Sequence, residues 1–448
     1  MQTLSQFVSS LSAIVWGPPM VILLFGTHLF LTFRLGFMQR HIFQGIRDSV
    51  RRDPQSPGEV SPFGALTTAL AATVGTGNIF GVAGAIAVGG PGALLWMWLT
   101  GLFGIATKYG ECLLSVKYRE KHPDGHYVGG PMMVLDKGLG LKPLAILFAA
   151  FTAIAAFGIG NMVQSNTLAG MVDKITLEAA WAPHIPAWGT GIFLTGITAV
   201  VILGGIKSIS RVCSFLVPLM ALVYVLGCLY FIVMHLGELP GTLRLIFSSA
   251  FQGQAAVGGF VGAGIAKTVQ MGIARGLFSN EAGMGSAPIV AAAARTSDPV
   301  RQALIAATAT FWDTVVICLL TGLVIVGSGE WVHASDKQEL SQLAFAHIPV
   351  LGPFVLTFGL MTFVISTILG WSYYGERAVE YLFGEKAIFP YRLLWVAAVM
   401  IGSVLKLGLV WDFADVTNAL MAVPNLVSLL LLSGVIASET KRYFRPKS

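Results

Sequence analysis

Long apolar runs separated by short polar stretches dominate the chain. Eleven of these runs approach or exceed the about 20 residues that carry a helix across a bilayer. They are 12–33, 62–88, 92–116, 143–172, 188–206, 212–236, 255–294, 299–327, 350–382, 390–410 and 413–438. Each is expected to be helical, because an open sheet leaves its backbone unsatisfied in hydrocarbon. The seventh run is too long and too rich in glycine for one plain helix.

Composition agrees with the pattern. Only 11% of the 448 residues are Asp, Glu, Lys or Arg, and 55% are hydrophobic; the mean hydropathy is +0.75. Soluble domains carry roughly 25% charged residues, so this chain could not cover a water-soluble globule of its size. The expectation is an all-α polytopic membrane protein; a disordered, collagen-like or disulfide-framework chain is excluded. The four cysteines each lie in an apolar run and read as small packing residues. The eight histidines are scattered along the chain, and no metal site is expected from them. No cleavable signal peptide is apparent.

Charge then orients the spans. Of the 28 basic residues, 21 fall in or beside the loops after spans 1, 3, 5, 7, 9 and 11, and four in or beside the opposite loops. The asymmetry puts the basic loops in the cytoplasm, the N-terminus outside and the C-terminus inside. The net charge of +6 is therefore a topology signal, and no nucleic-acid partner is expected.

Two spans carry interruptions. Span 2 contains Thr73-Val74-Gly75-Thr76-Gly77-Asn78-Ile79 at mid-membrane depth. Each glycine costs a helix about 1 kcal/mol relative to alanine, and its bare backbone admits a small ligand. A helix-packing seam is the other reading, and it suits Gly81 and Gly84. Span 7 contains Arg275-Gly276-Leu277-Phe278-Ser279-Asn280-Glu281-Ala282-Gly283-Met284-Gly285-Ser286-Ala287-Pro288. Irregular backbone at that depth is tolerated only against protein or a water-filled cavity; the alternative is an ordinary cytoplasmic turn. Spans 2–6 (62–236) and 7–11 (255–438) each number five, so a repeated unit must insert with opposite orientation. Span 1 (12–33) is then an accessory helix, and the whole of 1–448 forms one transmembrane domain. Interrupted helices opening two inverted halves point to a secondary transporter with its site at the midplane.

At these residues the sequence resembles the alanine or glycine:cation symporter family. The resemblance runs over about residues 12–440. It is carried by 73–79, by Gly89-Gly90-Pro91-Gly92-Ala93, by 278–286 and by Ser366-Thr367-Ile368-Leu369-Gly370-Trp371-Ser372-Tyr373-Tyr374-Gly375-Glu376. It implies the LeuT-type inverted-repeat fold with one extra N-terminal helix. It also implies symport of a small neutral amino acid with a cation, usually sodium. Val74-Gly75-x-Gly77-Asn78 is further similar to the first core helix of neurotransmitter:sodium symporters. By that likeness a sodium ion would be held by the carbonyls of Ala71, Val74 and Phe363 and the hydroxyls of Ser366 and Thr367. Such hydroxyls often merely bond their own helix.

Beside the resemblance, the substrate's groups suggest partners. The N–H groups of Gly75, Thr76 and Gly77, opening the second half of span 2, suit a carboxylate without any arginine, and Asn78 can donate to it. The ammonium would face carbonyls near Thr73 together with Asn161 and Gln164. Those two amides could equally be interhelical glue. Phe278, Thr367 and Trp371 are candidate walls, Trp371 also suiting plain packing. Intramembrane charges are functional candidates by default. Lys108 and Glu111 read as a local ion pair near the inner interface, Asp313 as a proton carrier, a positioner of span 7 or a satisfied structural carboxylate, and Arg275 with Glu281 as an inner gate.

The expected function is sodium-coupled import of alanine or glycine across the plasma membrane, with an uncoupled or proton-coupled facilitator or channel as the alternative. An enzyme is disfavoured, since no Ser-His or HExxH constellation appears. No cofactor beyond the co-transported sodium ion, and no obligate protein partner, is expected; the lipid bilayer is the surrounding.

Overall fold

The computed structural model describes residues 10–11, 14–51, 56–123, 125–178, 183–252, 264–334, 336–405 and 408–445. Residues 12–13 of the first expected span, 255–263 of the seventh and 406–407 of the tenth lie outside them. Nearly every described residue in a regular element is helical. A two-stranded antiparallel hairpin, β1 (Glu120–Lys121) and β2 (Tyr127–Val128), and an isolated parallel bridge between Val60 and Ala294 are the exceptions among the described residues.

Helix α1 (Pro18–Arg34) is followed by a short amphipathic helix, α2 (Ile42–Ser49). The second expected span is two helices, α3 (Pro62–Thr73) and α4 (Phe80–Gly89). Ser61 caps α3 by accepting from the Gly64 N–H, and Pro62 fills the first turn, where no N–H is needed. Helix α5 (Ala93–Lys117) follows. Then come α6 (Lys142–Ala155), a π-turn over Ala156–Met162, and α7 (Val163–Glu178). Helices α8 (Ala187–Ile202) and α9 (Gly205–Met234) precede α10 (Leu239–Gln252).

The second half opens with α11 (Ile265–Asn280) and the five-residue α12 (Ala287–Ala291). Helix α13 (Pro299–Thr310), capped by Asp298, passes through a second π-turn, Phe311–Cys318, into α14 (Leu319–Ser328). Then follow α15 (Lys337–Ala346), α16 (Gly352–Phe383), α17 (Ile388–Val404), α18 (Gly408–Leu431) and α19 (Ser433–Phe444). Helix α5 is wrapped by α1, α11 and α13, while α16 packs on α3, α6 and α9. These two helices form the spine of the bundle.

Among the described residues six helices are long and apolar enough to cross a membrane, or up to eight if each bent pair is one span. Three elements that the hydropathy pattern leaves as loops, α2, α10 and α15, are helices because each has an apolar stripe to bury. Ile42, for example, is 7% exposed although its neighbour Phe43 is 75% exposed.

One face of the bundle gathers α2, the hairpin, α19 and the end of α16. It is stitched together by Lys117–Glu439 at 2.7 Å, His126–Glu380 at 2.6 Å and the Tyr381 hydroxyl on Asp136 at 3.0 Å. Lys117, Lys137, Arg377 and Arg442 lie here, making it the basic face. Helix α15 sits toward the other face, against α4.

Candidate functional site

Helix α3 stops at Thr73. Val74 is extended (φ −78°, ψ 97°), and one 3-10 turn, Thr76–Asn78, leads into α4. The two halves are bent by 61°. In an unbroken helix the Gly75 and Thr76 N–H groups would donate to the carbonyls of Ala71 and Ala72. Here Gly75 N–H donates to Asn78 Oδ1 at 2.9 Å and Thr76 N–H to Gln164 Oε1 at 3.4 Å. The Ala71 and Ala72 carbonyls thereby lose their helical partners. From α16 the Thr367 hydroxyl donates to the Val74 carbonyl at 3.3 Å. A Cβ on Gly75 would lie 2.6 Å from Thr367 Oγ1, so α16 approaches bare backbone at a point only glycine allows.

Gly77 is less confined. A Cβ there would sit 3.5 Å from the Phe278 ring, an ordinary contact. Thr76, Gly77, Met271, Arg275, Phe278 and Lys337 line a cavity of about 440 Å³ between α4, α11 and α15. The Arg275 guanidinium lies 5.9 Å from the centre of the Phe278 ring. Burial, with Arg275 close by, holds the Lys337 ammonium below the usual lysine value.

The other sequence candidates divide. Gln164 reaches the break, and its Nε2 donates to the Ile159 carbonyl at 3.0 Å, five residues back across the π-turn. The Asn161 Nδ2 donates to the Trp395 carbonyl of α17 at 2.9 Å, while its Oδ1 is buried without a hydrogen-bond partner. The Thr73 hydroxyl returns to the Ala69 and Leu70 carbonyls of its own helix at 3.2 and 3.4 Å. The Ser366 hydroxyl likewise donates to the Phe363 carbonyl at 2.9 Å, and it also meets Met220 Sδ at 3.5 Å. Asn78, rather than standing free for a ligand, donates to Asp313 Oδ1 at 2.7 Å. Asp313 in turn accepts from Ser279 at 2.9 Å and Thr314 at 2.6 Å. It is fully hydrogen-bonded, and it joins the two broken helices.

The second break is built differently. Helix α11 ends at Asn280, and Glu281 (φ 54°), Gly283 (φ 88°) and Gly285 (φ 85°) are all left-handed. For a glutamate that conformation is uncommon, and side-chain bonds hold it. Trp371 Nε1 donates to Glu281 Oε1 at 3.1 Å, and the Ser286 hydroxyl donates to Oε2. Lys108 Nζ donates to the Glu281 carbonyl at 3.0 Å. Glu111 Oε1 accepts from the Gly285 N–H at 3.1 Å and from Asn425 Nδ2 at 2.5 Å.

Lys108 and Glu111 form the expected ion pair, 3.9 Å apart and wholly buried, and they also clamp the opened backbone of residues 281–285. One expectation is corrected here. Arg275 and Glu281 do not form a gate pair. Arg275 lines the cavity, whereas Glu281 turns toward Trp371. The participation of Asn425, on α18, went unread; a polar side chain in an otherwise apolar span was the available signal.

The broken-helix bundle has a solved counterpart. It matches the crystal structure of MhsT in complex with L-phenylalanine with a TM-score of 0.62, covering 86% of this chain and 93% of that one at 16% identity. The fold is therefore of the LeuT type. Within that class the chain belongs to the sodium:alanine symporter family, whose model matches residues 1–448. It is 48% identical to the sodium/alanine symporter AgcS of Methanococcus maripaludis, over 97% of this chain and 96% of that one. It is 35% identical to the probable sodium/glutamine symporter GlnT of Bacillus subtilis, over 100% and 92% of the two chains. The family is one of membrane transporters, in keeping with the apolar helices of the chain.

Proposed function

We propose that this protein imports alanine or glycine together with sodium across the plasma membrane by alternating access. The basic face would be cytoplasmic, with the N-terminus outside. Eleven crossings would comprise α1 and two inverted sets of five, α3–α9 and α11–α18. The observation that carries the reading is the unwound stretch Val74–Asn78 with Thr367 pressed against it.

The substrate carboxylate would take the places of the Asn78 and Gln164 oxygens on the Gly75 and Thr76 amides. The N-terminal end of α4 favours a negative charge there. The ammonium would face the carbonyls that end α3, near Thr73, and Gln164, while Phe278 and Trp371 close the apolar sides. The sodium ion would lie among the Ala71, Val74 and Phe363 carbonyls and the Ser366 and Thr367 hydroxyls. A hard cation accepts a cage of neutral oxygens. Ion and substrate would share span 2, so each would stabilise the same closed arrangement, and coupling follows.

Uptake of labelled alanine and glycine into proteoliposomes under an imposed sodium gradient tests the proposal. Accumulation above equilibrium that disappears when the gradient is collapsed is the expected result. Downhill equilibration alone would establish the facilitator instead.

A further inference from the structure

The hairpin between α5 and α6 carries two histidines separated by a tight turn. The His122 N–H donates to the His126 carbonyl at 2.9 Å, and the Gly125 N–H to the His122 carbonyl at 2.9 Å. The two imidazoles are brought side by side, ring centres 4.6 Å apart. Sequence reading set the histidines aside as scattered, because nothing in a loop of unknown conformation says that residues 122 and 126 share a side. Glu380, near the basic end of α16, completes the group. His126 Nε2 lies 2.6 Å from Glu380 Oε1, and one ligand atom from each of the three residues lies within 4.8 Å of the others.

We propose that His122, His126 and Glu380 form a binding site for a divalent transition metal, zinc by preference. Two imidazoles and one carboxylate are a zinc donor set with a position left for water or a fourth ligand. Magnesium and calcium, which prefer all-oxygen cages, are disfavoured. Ligand atoms around tetrahedral zinc stand about 3.3 Å apart, so binding needs only a small closure of the imidazoles about their side-chain torsions. The hydrogen bond between His126 and Glu380 gives way to two metal bonds, and its proton leaves to solvent.

The surroundings are already fixed, as a metal site requires. Arg377 Nη1 holds Glu380 Oε2 at 2.7 Å, leaving Oε1 for the ion. The Tyr127 N–H donates to Glu59 Oε1 at 2.9 Å, and the Arg119 guanidinium lies 4.5 Å from the Tyr127 ring centre. The hairpin is thereby anchored to the segment that precedes α3 and to its own root. An ion here would join the loop after α5 to the basic end of α16, two parts of the chain more than 250 residues apart.

The test uses the full-length protein in detergent, with any affinity tag removed, titrated with zinc chloride by calorimetry and with cobalt(II) by visible absorption. One zinc per chain and the intense ligand-field bands of tetrahedral cobalt are expected. His122→Ala, a partly exposed position that leaves the fold intact, should weaken zinc about tenfold or more, and Glu380→Gln similarly. The His122→Ala/His126→Ala double variant should lose the bands altogether. Absence of zinc binding, or unchanged affinity in the double variant, would overturn the site. Neither readout involves transport, so the result stands whatever the uptake experiments show.

Discussion

The two broken spans solve the same problem with opposite chemistry. At Val74–Asn78 the freed backbone is met by neutral groups: the Asn78 and Gln164 amides and the Thr367 hydroxyl. At 281–285 it is met by a buried lysine and a buried glutamate, with Asn425 beside them. Neutral partners with weak bonds can be exchanged for a ligand at small cost. Charged partners cannot, because removing either leaves the other unpaired in a medium that does not solvate it. The first break is therefore suited to binding and the second to holding shape.

The contrast is broken most directly at Lys108. Lys108→Met strands Glu111 and the Glu281 carbonyl, and should cost about 3–5 kcal/mol of stability, read as a large fall in thermal midpoint in detergent. A variant that melts like the parent would show that span 7 does not depend on the charge. Gly75→Ala comes next. Its methyl group has no room beside Thr367, an overpacking of about 1–3 kcal/mol, and sodium-driven uptake should be lost while Gly77→Ala keeps it. Equal uptake in the two variants would remove the distinction between these glycines. Smallest is Thr367→Val, which deletes one hydrogen bond worth about 0.5–1.5 kcal/mol and leaves the shape unchanged. It should raise the sodium concentration for half-maximal uptake with little effect on melting. An unchanged sodium response would take Thr367 out of the cation site.

What the sequence could disclose depended on distance along the chain. The span 2 break was legible because its cause is local: two glycines around a threonine cannot sit comfortably in a helix. Gln164 reaches it, while the Asn161 amide nitrogen turns to α17. The π-turn at Ala156–Met162 inserts extra backbone into the helix, so residues before and after it no longer keep the same face, and a 3.6-residue period does not register the slip. Lys108 and Glu111 were read as partners of each other because they are three apart. Their more telling partners, in residues 281–285 and at Asn425, come from other helices. Hydropathy likewise missed α2, whose few buried side chains, such as Ile42, make an apolar stripe too short to stand out.

Arg119 carries a last consequence. Its Nη1 donates to the carbonyls of Ala292 and Ala294, each at 2.7 Å, and its Nη2 to those of Thr296 at 2.7 Å and Pro57 at 3.0 Å. A guanidinium presents its donors in one rigid plane, so these carbonyls are kept or surrendered together. The stretch leaving α12 and the strand-like residues before α3 must travel with the root of the hairpin as one plate. Any rearrangement of this end of the molecule either carries the plate whole or snaps it free in a single event.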